Sequence, residues 1–190
     1  MIITLNRVCG SKGGKIAEAL AKKYDLTFVD HYYLIKKAKE EGCFDEMVQF
    51  FSGAPGSFLY SVDFDGEETS EQGLILTKIR KLMPKDNFIV VGCCGNHILR
   101  KEDAFTIFIS SKAKQQIDTV CQFVDHVENE EDAREYIKQM NGRRRLFHEA
   151  FTGEDWDSPR NYDLCLNGAA YEFDDCVGLI MNAIEKVSRS

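Results

Sequence analysis

Apolar residues along the chain gather into short runs, separated by stretches in which they recur at helical spacing. Ile2-Ile3-Thr4-Leu5 reads as a first buried strand, Leu26 to Asp30 as a second and Phe88 to Gly92 as a third. Ala104 to Ile109 predicts a fourth and Leu164 to Asn167 a fifth. From Lys15 onward Ile16, Ala19, Leu20 and Tyr24 share one helical face. Further helices are expected over Tyr33–Glu41, Ser70–Leu82, Lys112–His126 and Glu130–Phe151, with a turn or two near Phe44–Phe51. Gly53-Ala54-Pro55-Gly56 and the acidic stretch Asp63–Glu68 bracket an irregular loop. Short apolar strands alternating with helices predict an α/β fold, a parallel sheet of about five strands covered on both faces. The right-handed crossover rule places Leu5 on a central strand with Phe88–Val91 beside it.

Composition narrows the class. A chain of 190 residues, 44% hydrophobic and 29% charged, suits one globular domain over 1–190 with a core of its own. It contains no run of eighteen apolar residues, so no membrane-spanning helix is expected, and its first residues read as a strand rather than a signal peptide. The seven cysteines show no C-x-x-C spacing, which favours reduced thiols and a cytoplasmic location over zinc or disulfides. A net charge of −7 argues against a nucleic-acid polymer as partner but leaves room for a small phosphate ligand. His31, His97, His126 and His148 share no ligand spacing, and no metal is assigned to them.

The candidate chemistry begins where the first strand ends. Arg7-Val8-Cys9-Gly10-Ser11-Lys12-Gly13-Gly14-Lys15 joins a strand to a helix, the context in which backbone N–H groups cradle phosphate. Lys12 and Lys15 sit at the positive end of that helix, where a cation is unfavourable by roughly 0.3–1 kcal/mol unless an anion shares the space. The alternative is a tight turn carrying two solvated lysines. Arg143-Arg144-Arg145 is the second basic cluster, and three consecutive arginines on a helix point in three directions. An arginine there can close over a phosphate, or the run is a solvated face. Asp30, at the carboxyl end of a strand, could order magnesium through water, touch an acceptor, or cap the following helix. Cys93 and Cys94 read as buried, inert thiols, on opposite faces if the strand continues that far.

These segments together resemble the cytidylate kinase-like family of P-loop kinases, nearly end to end. Ile2–Arg7 followed by Cys9–Ala17 is similar to the family's I-T-I-S-R-x-x-G-S-G-G-R-E-I-A. Phe28-Val29-Asp30 matches its second strand, and Val90–Cys94 with Ile98-Leu99-Arg100 matches V-G-R-C followed by I-L-R. The most specific string is Arg143-Arg144, Phe151-Thr152-Gly153-Glu154-Asp155-Trp156 and Asn161–Asn167, close to Y-T-G-x-x-W and N-Y-D-L-C-I-N. The resemblance implies a three-layer P-loop kinase fold with a helical arginine lid over about 129–156. It also implies ATP held at Gly10, Ser11, Lys12, Gly13, Gly14 and Lys15, with magnesium bound through phosphates and water rather than a protein ligand. Lys12 or Lys15 then supplies the loop cation, and Arg143 and Arg144 close over the transferring phosphoryl group. Arg7, Asp30 and Cys93 face a small acceptor.

Several positions depart from the pattern. Counted back from Leu20-Ala21, the catalytic lysine of nucleotide kinases falls at Gly13 and their magnesium-binding Ser/Thr at Lys15. Lys12 stands where the family has glycine, Cys93 where it has arginine, and Gly168-Ala169-Ala170 replace polar residues. Three readings stay open: a nucleotide kinase, a kinase for another small acceptor, and a degenerate P-loop protein that binds nucleotide without efficient transfer. Trp156 reads as a packing anchor beneath the lid.

Overall fold

The computed structural model describes residues 1–52 and 71–187. The irregular loop expected around Gly53–Gly56 and Asp63–Glu68 lies outside these residues. Five parallel strands form one sheet: β1 (Ile2–Arg7), β2 (Thr27–Val29), β3 (Phe88–Val91), β4 (Ala104–Ser110) and β5 (Leu164–Asn167), in the order β2-β3-β1-β4-β5. Leu5 pairs with Val91 on one side and Ile107 on the other, so β1 is central and β3 is its parallel neighbour.

Alternation along β1 divides the core. Ile3 and Leu5 point to one face, where α1 (Gly13–Tyr24) and α8 (Phe173–Val187) cover them with Ile16, Leu20, Val177, Ile180 and Ile184. The opposite face of the sheet carries Phe88 and Val90, covered by α2 (His31–Glu40), α3 (Val48–Ser52), α4 (Glu71–Leu82) and α5 (Gly95–Ile98). Phe50 and Phe151 meet edge-on there, which brings the end of α7 (Glu130–Thr152) into the same layer. The first half of α7 packs instead on α6 (Ala113–Phe123), through Ile117, Val120 and Ala133. Helices thus cover both faces of a parallel sheet in three layers.

Two helices go beyond the sequence expectation. α5 is a single turn, and α8 closes the aliphatic face over a stretch to which the sequence reading assigned nothing. Cys93 and Cys94 also differ from expectation. β3 stops at Val91, and Gly92, Cys93 and Cys94 all take positive φ (73°, 53° and 55°), so the strand does not continue and the alternating-face argument lapses. No described helix is long and apolar enough to cross a membrane.

Candidate active site at the glycine turn

β1 delivers the chain to the carboxyl rim of the sheet at Arg7, and α1 leaves from Gly13. Inside the turn, Ser11 Oγ donates to the Val8 carbonyl at 2.8 Å and accepts weakly from the Gly13 amide at 3.4 Å. Lys12 precedes the helix with φ 62° and no side-chain cap. The left-handed region costs a non-glycine residue about 1–2 kcal/mol. The amides of Gly10, Lys12, Gly14 and Lys15 find no acceptor among the described residues. Unfilled N–H groups at the start of a helix, together with its dipole, favour an anion.

Arg7 is the group that gives this turn its charge. It is half-buried and has neither a hydrogen-bond acceptor nor a carboxylate partner among the described residues. Burial, and secondly the guanidinium of Arg144, lower its pKa to about 10. Arg144 comes from α7 and donates through Nη1 to the Arg7 carbonyl at 3.1 Å, its own pKa lowered by burial. Two cations therefore share one partly desolvated corner, and among the described residues the Asp30 carboxylate offsets Arg7 only from beyond ion-pair contact. Next to Arg144 on the same helix face, Asn141 accepts the Cys9 amide at 2.7 Å, which docks α7 onto the turn.

The three consecutive arginines diverge as the helical angle of about 100° per residue requires. Asn141, Arg144, His148 and Phe151 form the inward stripe, spaced three and four apart. Arg145 turns aside to a forked pair with Asp157 (2.9 and 2.8 Å) and a contact to Asp155 at 3.3 Å. Arg143 points to solvent, so it and Arg144 are not brought together at one ligand. Both loop lysines are exposed, and Lys15 lies over the Phe123 ring at 4.2 Å. Asp30 accepts the Tyr33 amide at 2.8 Å through one carboxylate oxygen and so caps α2. Cys93 lies after β3 close to Arg7, its thiol pushed up to about 12 by burial and hence neutral.

A polar network behind the site is absent from the sequence reading. Asn6 is 4% exposed and donates through Nδ2 to Asn96 Oδ1 and to the Tyr162 hydroxyl, each at 3.0 Å. The Tyr162 hydroxyl in turn donates to the Trp156 carbonyl, and Trp156 stacks edge-on against Phe108 at 5.4 Å. Trp156 is thus a buried packing anchor. Further along, Glu154 pairs with Arg100 and lies 3.3 Å from His97 Nδ1. Burial raises the Glu154 pKa, but the Arg100 hydrogen bond and the charges of His97 and Arg100 outweigh it, and the net shift is downward. His148, 2% exposed, is held down to about 4 by burial. Near this network a cavity of about 400 Å³ opens between Asn96, Arg100, Arg160 and Asp163, lined by no residue of the glycine turn. The only sequence signal for the network is Asn6 itself, a polar residue directly after an apolar run. Among the described residues no cluster of three or more His, Cys, Asp or Glu is placed to hold a metal.

A parallel sheet in three layers, with a glycine turn feeding the helix from its central strand, defines a P-loop kinase fold. The chain matches the cytidylate kinase-like family over residues 2–170 and belongs to it. Among solved structures it is similar to an uncharacterized protein from Eubacterium ventriosum, at TM-score 0.72 and 22% identity over 98% of each chain. A shikimate kinase from Bacteroides thetaiotaomicron superposes at TM-score 0.58 and 11% identity, over 97% of this chain and 98% of that one. A gluconokinase from Sinorhizobium meliloti does so at 0.54 and 11%, over 98% and 93%. At such identities the likeness concerns the fold. No curated protein matches the chain.

Proposed function

We propose that this protein is a nucleotide-binding phosphotransferase, with ATP as phosphoryl donor and a nucleoside monophosphate or another small molecule as acceptor. One observation carries the reading: the half-buried Arg7 guanidinium, beside Arg144 and with no ion-pair contact among the described residues, only the more distant charge of Asp30 acting on it, at a turn whose amides find no acceptor there. An anion there relieves the repulsion and fills the amides at once. Phosphoryl transfer asks little of a protein beyond such positioning and charge stabilisation. In this reading the amides of Gly10–Lys15 hold the donor phosphates, Lys12 adds charge from the rim, and Arg144 closes from α7. Magnesium is carried by the phosphates and water. The segment 129–156 serves as the lid of a single domain, and seven free cysteines fit a reducing compartment, for which we assign the cytoplasm.

Incubation with ATP, magnesium and a panel of nucleoside monophosphates, followed by ADP detection, is the direct test. ADP formation that depends on one acceptor supports the reading. Replacing Lys12 and Lys15 together with Ala should weaken ATP binding at least tenfold, about 1.4 kcal/mol. Unchanged affinity in a calorimetric titration removes the loop from the site.

The second reading, nucleotide binding without efficient transfer, is favoured by Cys93. A neutral thiol cannot make the forked, charge-assisted bonds that the family's arginine offers. CMP should therefore be a poor acceptor, and Cys93→Arg should raise CMP-dependent turnover. Strong CMP turnover in the natural protein contradicts this. No turnover in either protein, with ATP still bound, favours the binding-only reading.

A further inference from the structure

The lysine of a P-loop opens the helix and reaches back to the β- and γ-phosphates. At the first helical position this chain has Gly13. The room above that glycine is already taken. A Cβ at residue 13 would lie 2.6 Å from Arg7 Cβ and 2.9 Å from Arg7 Cγ, closer than such atoms ever approach. The other end of the same side chain is cleared by a second glycine: a Cβ at Gly92 would lie 3.0 Å from Arg7 Nη1. Arg7 therefore runs from the start of α1 to the end of β3, with its stem where a residue-13 side chain would begin.

We infer that Arg7 replaces the missing loop lysine, as the cation that contacts the donor's terminal phosphates, and that residues 7 and 13 hold this role exclusively of one another. The inference rests on the phosphotransferase reading and assigns one residue within it. Three observations converge. The stem of Arg7 shares its origin with the side chain that a lysine at 13 would have. Its guanidinium has donors without acceptors among the described residues. It also lies between the turn that would hold the donor and the strand end that would face the acceptor. A guanidinium fork can bridge two phosphate oxygens, whereas an ammonium acts as a point charge, so the exchange keeps charge and adds directionality. The two lysines near the turn fill the role less well, since both are exposed and one of them lies over Phe123.

The test combines calorimetric ATP binding with thermal unfolding of the full chain. Arg7→Met keeps the bulk of the stem and removes the charge, and it should bind MgATP at least tenfold more weakly. Arg7→Lys should stay within a few-fold of the parent. Gly13→Lys alone should lower the Tm and gain no affinity, because two stems then compete for one space. Arg7→Gly with Gly13→Lys, in which the colliding Cβ at residue 7 is gone as well, should unfold at a higher Tm than Gly13→Lys alone and recover at least part of the affinity that Arg7→Gly loses. A residue that merely braces the turn would not produce that reciprocal rescue. Should Arg7→Met fail to fold, Arg7→Gln provides the neutral comparison. Arg7→Met or Arg7→Gln binding within twofold of the parent, or Gly13→Lys folding and binding normally beside Arg7, overturns the inference while nucleotide binding stands. A parent protein that binds neither MgATP nor inorganic triphosphate overturns the phosphotransferase reading and the inference together.

Discussion

The two faces of the sheet are built from different materials. The face under α1 and α8 is aliphatic: Ile3, Leu5, Ile16, Leu20, Ile107, Ile109 and Ile180 pack with little or no exposure. Tyr24 packs against that cluster and brings to it a buried hydroxyl without a partner among the described residues. The opposite face holds Thr4, Asn6, Asn96 and His148 among the aromatic rings of Phe50, Phe147, Phe151, Trp156 and Tyr162. There Thr4 Oγ1, Asn96 Nδ2 and His148 Nε2 are buried without a partner. One face thus draws on non-directional burial, which tolerates substitution by similar volumes. The other depends on hydrogen bonds and protonation states, and it is the face from which Arg144 reaches the glycine turn. A dry layer holds the turn's helix in place, while a polar layer positions the groups that would respond to a ligand.

Breaking the dry face should give the largest effect. Leu20→Ala removes a fully buried side chain and leaves a cavity, expected to cost about 2–5 kcal/mol in urea unfolding while ATP affinity in the remaining folded protein is unchanged. A loss below about 1 kcal/mol would mean that this layer is not tightly packed.

The polar face should announce itself through pH. His148 has a native pKa of about 4 against 6.5 for an ordinary histidine. Below 6.5 the unfolded chain binds a proton that the native chain refuses, so stability is complete above that pH and falls as pH drops toward 4. The loss amounts to about 3 kcal/mol. His148→Gln should flatten this part of the curve. A curve of the same depth in the variant would place the pH sensitivity elsewhere.

Tyr162→Phe removes a hydroxyl that both accepts from Asn6 and donates to Trp156, leaving the Trp156 carbonyl and one Asn6 Nδ2 hydrogen without that partner, while Asn6 keeps its bond to Asn96. A loss of about 1–3 kcal/mol is expected, smaller than the Leu20 cavity at its upper end. A neutral outcome would show water entering in place of the hydroxyl.

The smallest effect is expected at the rim of the polar face. Arg145→Ala breaks a partly exposed pair with Asp157 and should cost no more than about 1 kcal/mol, diminishing further in salt. ATP affinity should not change. Arg144→Ala, one residue away, should weaken it, and equal behaviour of the two variants would erase the distinction drawn between their directions on α7.

Much of the sheet was legible because its cause is local. Runs such as Phe88–Val91 are apolar on both sides, and only a strand covered on both faces accommodates that. β1, β3, the start of α1 and the long α7 followed from periodicity, and the string from Phe151 to Asn167 carried the family. α8 went unpredicted although its buried residues Cys176, Val177, Ile180 and Ile184 recur at helical spacing. The direction of each arginine, the docking of Asn141 on the turn and the network from Asn6 to Trp156 join residues far apart in the chain. No periodicity encodes such pairings. The exchange between Arg7 and Gly13 shows the division most clearly. The sequence alone determines that the helix opens on a glycine where a lysine is usual, and that an arginine ends the strand before it. Only the tertiary structure decides that the two share one space, because a side chain at residue 13 would begin less than 3 Å from the Arg7 stem once the strand end and the helix start have been brought together.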